Sequence, residues 1–414
     1  MKNLVIILLI LQPLINKITL KSGVSFDVYN ELLSLVVFSM YLYQLLKRGK
    51  ITSISFVFFT LIGYMVLTTF IRETYPLGFF QIVIYCQWFF YFLYYHSLNT
   101  EEKKKTLYSL KKILDKVLML VLIISFIEIP FYEQFREFLG IHSHARGIGG
   151  FYLVSFFGSG PSLANFMSLY IVMWYYYHYG FQEAIVRRDK IKLVLAFVFL
   201  ILSFSRKEVL FVFLFMLFFP FQYRSQLRKW IKKATVFIGI FTGLLIYYLA
   251  FFSKANDVAF GEKYIRWRIA EKSNEILMDN LPWGSGIGTF GSRVSLMMKD
   301  VYEKYDVGPE MLGYEVLNQT RGPIYDAFMF TFTTELGIGI LIFLFFFFKL
   351  FEARVWDSNL YKSYVKNFLI VYFLGLSFFQ PVLVSSFGYL CAIFFALTIN
   401  KISLLKFRIK YAKT

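Results

Sequence analysis

From Ile51 to Ile71 the chain reads ITSISFVFFTLIGYMVLTTFI, 21 residues with no charge among them. A helix needs roughly 17–25 apolar residues to cross about 30 Å of hydrocarbon. Apolar runs recur at 3–20, 28–46, 51–71, 78–97, 112–131, 160–180, 190–204, 208–222, 233–252, 325–350, 364–379 and 382–400. Backbone groups in lipid find no water, so each crossing segment must satisfy its own, which a helix does. The sequence therefore predicts an all-α polytopic membrane protein of about 12 transmembrane helices. A composition that is 58% hydrophobic and 21% aromatic fits that class and not a soluble domain of 414 residues. The opening MKNLVIILLILQPL has the greasy core of a signal peptide but no small-x-small cleavage site. It is expected to be a retained first span, interrupted by Pro13 and Lys17.

The formal net charge of +18 invites a nucleic-acid partner, but its distribution argues for topology instead. Lys47, Arg48 and Lys50 follow span two, Lys103, Lys104, Lys105, Lys111 and Lys112 follow span four, and Arg187, Arg188, Lys190 and Lys192 follow span six. Basic clusters also follow spans eight, ten (Lys349, Arg354, Lys362, Lys366) and twelve. Every even-numbered connection is basic, which is the positive-inside pattern and predicts both termini in the cytoplasm. Anionic headgroups of membrane lipids are the natural partners of such clusters, and no nucleic acid is implied. Cys86 and Cys391 each sit in an apolar run, with neither metal-site spacing nor a disulfide framework.

Three regions result. Residues 1–252 carry spans one to nine, with an outward loop at 132–159; residues 253–324 form a large outward loop; residues 325–414 carry spans ten to twelve and a basic tail. In the large loop, EKYIRWRIAEKSNEILMDN places Ile265, Ile269, Ile276 and Leu277 at helical spacing and stops at LPWGSGIG. It is expected to be a small folded cap. In the smaller loop Phe131, Phe135, Phe138 and Leu139 form one apolar stripe, as in a helix lying on the membrane surface.

The outward side should be poor in cations, so those present need a reason. LSFSRKEVLF puts Arg206, Lys207 and Glu208 between two short apolar runs. The first, Leu193 to Ser205, gives roughly 20 Å of helix against about 30 Å of hydrocarbon. The hairpin tip is expected below the surface, where Arg206 is either a snorkelling cation bound to Glu208 or a neighbouring helix, or an anion site whose planar fork suits phosphate. Arg146 in HSHARGIGGF is either a solvated loop residue or part of such a site, and His142 and His144 are poorly spaced for a metal. Arg266 and Arg268 lie either on a solvated face of the cap helix or on a ligand-facing one. Asp326 is either an N-cap-like carboxylate or a functional one. Glu335, about two and a half turns further in, is either a structural partner of a buried arginine or backbone group, or a proton acceptor. GIGTFG, Gly286 to Gly291, spells a dinucleotide fingerprint but follows Pro282 and Trp283 rather than a strand, and is expected to be turn glycines.

In their order along the chain, four places resemble the bacterial O-antigen ligase and polysaccharide polymerase superfamily, whose polymerase branch is called Wzy. They are ARGIGGF…PSLANF with Arg146, SFSRKEVLF with Arg206, RWRIAEKSNEILMDNLPWGSGIGTF with an arginine about fifteen residues before Pro-x-x-Gly-x-Gly, and DAFMFTFTTELGIG. The resemblance covers roughly 140–345 and implies a GT-C-like helical fold and glycosyl transfer with no metal and no cofactor. It implies a donor glycan on undecaprenyl pyrophosphate, held by Arg146, Arg206, Lys207 and one or both of Arg266 and Arg268. Asp326 or Glu335 would orient or deprotonate the acceptor. Where ligases carry a His this chain has Asp326, followed by Ala327 rather than Asn, which points to the polymerase branch. The expectation is a repeat-unit polymerase on the outward side of a bacterial plasma membrane, with a chain-length regulator as a further partner. The alternatives are an O-antigen ligase and a flippase for the lipid-linked oligosaccharide; a transporter's repeat symmetry and charges spread over several spans are missing here.

Overall fold

A helix that is apolar on every side has to be enclosed by other helices or by lipid, and the bundle sorts its helices accordingly. The computed structural model describes residues 2–21, 29–48, 52–139, 152–219, 265–292, 294–298, 300–307, 328–355, 359–378 and 380–401. The chain runs through α1 (Lys2–Lys21), α2 (Tyr29–Arg48), α3 (Ser53–Ile71), α4 (Leu77–His96) and α5 (Thr100–Glu128). The short α6 (Tyr132–Leu139) precedes α7 (Gly160–Gly180), α8 (Arg187–Leu202) and α9 (Arg206–Phe218). Then come α10 (Ile265–Asp279) and the short α11 (Asp300–Lys304). α12 (Phe328–Leu336) and α13 (Ile340–Glu352) are separated by a single tight turn at Gly337–Gly339, and α14 (Leu360–Ser377) and α15 (Ser386–Thr398) follow.

Among the described residues three stretches are long and apolar enough to cross a membrane: Ile54–Ile71, Leu77–His96 and Phe328–Glu352. The other apolar runs within the described residues are helical as well, and the run 233–252 lies outside them. One boundary differs clearly. α5 begins at Thr100 rather than near 112, because Asn99 caps it: Asn99 Oδ1 accepts from the Glu102 amide (2.8 Å) while the Glu102 carboxylate accepts from the Asn99 amide (3.3 Å).

α4, α7 and α15 form the interior. α4 packs against α2 and α15, and α7 against α8, α9 and α14. Almost every residue of α7 and α15 is buried. Trp88 of α4 sits among Phe92, Phe347 and Phe373. Tyrosine hydroxyls engage polar groups at this depth, Tyr389 bonding Gln87 and Tyr177 the Leu107 carbonyl.

The bundle has two chemically distinct ends. At the lysine-rich end Lys2 pairs with Glu102 (2.7 Å), Lys111 with Glu183 (2.7 Å) and Lys192 with Asp115 (2.5 Å). Counted as loop charges, the lysines here are expected at the membrane surface. Lys103, Lys192, Lys362 and Lys366 are instead buried. Helix C-termini explain part of this, since their last carbonyls lack partners within the helix and attract cations. Lys366 Nζ donates to the carbonyls of Leu350, Phe351 and Ala353 (3.0, 2.7 and 2.5 Å), closing the end of α13. Lys103 donates to the Ile399 carbonyl (3.0 Å). A two-stranded ribbon, Arg354–Val355 with Ile399–Lys401, lies here too and is the one departure from an all-helical chain among the described residues.

At the opposite end α10 builds a small core of its own. Ile269 and Ile276 pack with Phe290, Tyr302, Tyr305 and Val307, apart from the core of the bundle. α10 in turn lies against α12.

Candidate functional site

The hairpin between α8 and α9 gives its three charges three different environments. Ser203–Ser205 make the turn, with Phe204 in the left-handed region (φ 52°). The turn is tied to its neighbour by the Leu153 amide, which donates to the Leu202 carbonyl (2.8 Å). Glu208 is fully buried; Ser205 Oγ donates to one of its oxygens, and Lys207 Nζ lies 3.6 Å from the other. Lys207, half-buried, also donates to Gln380 Oε1 (2.9 Å) in the turn between α14 and α15. Arg206, the first residue of α9, is exposed and makes no hydrogen bond or ion pair among the described residues. One Glu208 oxygen is thus bonded by Ser205 and the other has only Lys207 near it, while the Arg206 guanidinium has no partner among the described residues. Its setting is a helix N-terminus, where the macrodipole adds partial positive charge, and its forked donors match phosphate oxygens.

Glu335 is fully buried in α12. Tyr85 Oη donates to Glu335 Oε2 (2.7 Å), and the Phe290 amide donates to Oε1 (2.9 Å). The carboxylate therefore holds the glycine-rich loop against the span. The loop reaches it because two backbones meet without side chains between them: Gly284 (φ 78°) faces the backbone of Thr334, Glu335 and Gly337, and Gly337 (φ 57°) faces that of Pro282 and Gly284. A Cβ at either position would collide with main chain, and the positive φ disfavours one anyway. The Ser285 amide donates to the Thr334 carbonyl and the Ile338 amide to the Pro282 carbonyl, each at 2.9 Å. Tyr64 Oη completes the joint by donating to the Leu336 carbonyl (2.9 Å). Gly286, Gly288 and Gly291 also have positive φ, so the GIGTFG glycines shape turns, with no strand before them.

A third arrangement involves Arg136, which the sequence pattern did not single out. Arg136 is 3% exposed, its guanidinium lying about midway between the rings of Tyr132 (4.1 Å) and Tyr152 (4.0 Å) and donating to the Tyr152 carbonyl (3.0 Å). Glu128, fully buried, accepts from the Val154 and Ser155 amides (2.9 and 2.7 Å). A signal was available: Glu128, Tyr132 and Arg136 recur every fourth residue, a spacing that shares one helical face. The exposed Phe131 and Phe138 lie away from that face, as a lipid-contacting stripe would.

Of the residues expected to form a site, Arg146 and Asp326 lie outside the described residues. Arg266 and Arg268 belong to the first turn of α10, and their side chains also lie outside the described part. Arg206 and Lys207 share the hairpin tip. Phe378, at the end of α14, meets Phe330 of α12 with ring centroids 5.6 Å apart. The hairpin tip and the start of α12 thus flank the α14–α15 turn, whereas Glu335 points away toward α4 and the glycine loop. Among the described residues no cluster of His, Cys, Asp and Glu is arranged to hold a metal ion.

Fold and site together define a helical bundle with helices long and apolar enough to cross a membrane and, at the end opposite the lysine cluster, an arginine with no partner among the described residues. Comparison with protein-family models gives no match, and comparison with curated proteins gives none either.

Proposed function

We propose that this chain is a repeat-unit polymerase of a bacterial plasma membrane, crossing it about twelve times with the lysine-rich end in the cytoplasm. In this reading a glycan leaves undecaprenyl pyrophosphate: the bond from its anomeric carbon to phosphate oxygen breaks as one to a sugar hydroxyl of a second lipid-linked repeat forms. The hydroxyl proton passes to a carboxylate, and the pyrophosphate departs with the lipid. The observation that supports it is Arg206, exposed and unpaired at the start of α9 with Lys207 beside it. A lipid-linked pyrophosphate presents its charge at the bilayer edge, and donors fixed there stabilise the charge that builds as it leaves. Arg146, Arg266 and Arg268 are assigned to the same anion. Asp326 is assigned the acceptor's proton, because Glu335 is already engaged by Tyr85 and the Phe290 amide.

The test is Arg206→Ala in cells. The expected result is loss of long polymer with accumulation of single lipid-linked repeats, and normal polymer length overturns the reading. Accumulation of long polymer still attached to the lipid identifies a ligase instead.

A further inference from the structure

Between α1, α7 and α15, at the end away from the lysines, lies a cavity of about 190 Å³. Among the described residues no charged side chain lines it. Its polar wall is made by Gln12 of α1, Ser162 and Asn165 of α7, Ser386 of α15 and Ser385 just before it. A carboxamide partway along an apolar helix is costly unless bonded, so what each amide touches is informative. The Ser386 hydroxyl bonds the carbonyl end of Gln12, and Tyr372 Oη bonds that of Asn165 (3.2 Å). Neither amide nitrogen has a protein partner among the described residues. Whichever way each amide is turned, one end is taken and the other is open. Ser162 Oγ accepts from Ser159 Oγ (2.7 Å) and keeps its own proton to donate. Phe157, Phe166 and Phe387 supply the apolar part of the wall.

We infer that this cavity binds one neutral sugar ring. A phosphate would need a cation, and none of the described residues on the wall is one. A lipid tail would leave the amide and hydroxyl donors unmatched in a dry site. A polyhydroxylated ring supplies acceptors for those donors and an apolar face for the phenylalanines, the mixture of convergent polar groups and aromatic surface found in small-ligand sites. The volume is below the roughly 300–1,000 Å³ of drug-sized pockets, which restricts the occupant to a single ring. Tyr372, which bonds Asn165, also stacks on Phe211 of α9. Phe211 lies five residues after Arg206, about 7.5 Å along the helix. Tyr372 therefore links the cavity wall to the helix that begins with the free arginine. Assigning the bound ring to the acceptor repeat rests on the polymerase reading; the cavity's preference for a neutral sugar does not.

Saturation-transfer NMR on the full-length protein in lipid nanodiscs, with free glucose, galactose, N-acetylglucosamine and rhamnose as probes, tests the site. At least one sugar is expected to show transfer to its ring protons. Gln12→Met and Asn165→Leu should each weaken that binding about tenfold, the effect of one lost hydrogen bond of about 1.4 kcal/mol. Ser162→Ala, at a half-buried position, serves if either variant does not fold. Absence of transfer from all four sugars, or unchanged binding in the folded variants, overturns the inference. The measurement needs no turnover, so it fails or succeeds separately from the polymer-length experiment.

Discussion

At the lysine-rich end, buried ammonium groups hold carbonyls; at the opposite end, buried carboxylates hold the amides of loops. Lys366 and Lys103 belong to the first kind, Glu128 and Glu335 to the second. These four charges are placed where the backbone presents the complementary dipole, whereas buried Lys192 is held by Asp115 and buried Glu208 by Ser205 and Lys207. What separates the ends is the surplus. At the lysine-rich end surface cations also find carboxylates, as in Lys2–Glu102 and Lys111–Glu183. At the other end Glu128 and Glu335 are bonded by amides and a hydroxyl, and Arg206 has no partner among the described residues.

Four substitutions at three positions break or sharpen this contrast. The largest effect is expected from Glu335→Leu, which strands the Phe290 amide and the Tyr85 hydroxyl in a fully buried site. At about 1–3 kcal/mol per stranded group, the loss is about 2–6 kcal/mol. SDS titration of the detergent-solubilised protein reads it, and limited proteolysis should then cut within residues 281–292. Glu335→Gln keeps an acceptor oxygen and should lose less than half as much; equal losses would mean that charge, not hydrogen bonding, holds the loop. Lys366→Met comes next, at about 2 kcal/mol, because it frees three carbonyls while also relieving the burial of a charge. No loss there would show that water can reach the end of α13. The smallest effect is expected from Arg206→Ala: the unfolding midpoint should stay within about 0.5 kcal/mol of wild type. A fall comparable to that of Lys366→Met would make Arg206 structural.

Much of the bundle was legible because two independent patterns run in step. Apolar runs mark the helices, and lysines accumulate at alternate connections. The cap helix was readable from Ile269 and Ile276, since the same periodicity that makes a helix amphipathic fills its small core. What the sequence could not say is which side of a short polar stretch turns inward. In LSFSRKEVLF all three charges are adjacent, and only the packing against Ser205, Gln380 and Tyr372 decides that Glu208 is enclosed and Arg206 is not. Arg136 was hidden for a related reason. Its helix has an obvious phenylalanine stripe, and in a protein surrounded by lipid the greasy face can look outward while a cation turns in. Gln12 and Asn165 stayed silent because single amides in apolar helices carry no pattern; they acquire meaning only when three helices bring them to one cavity.

The joint at Gly284 and Gly337 limits how the cap can vary. Its position is set by main chain meeting main chain, with a carboxylate behind. Three residue identities therefore fix where the cap docks, and the rest of the cap surface is free to change shape. A new cap sequence that kept those three could present a different surface while the helical bundle beneath it stayed as it is.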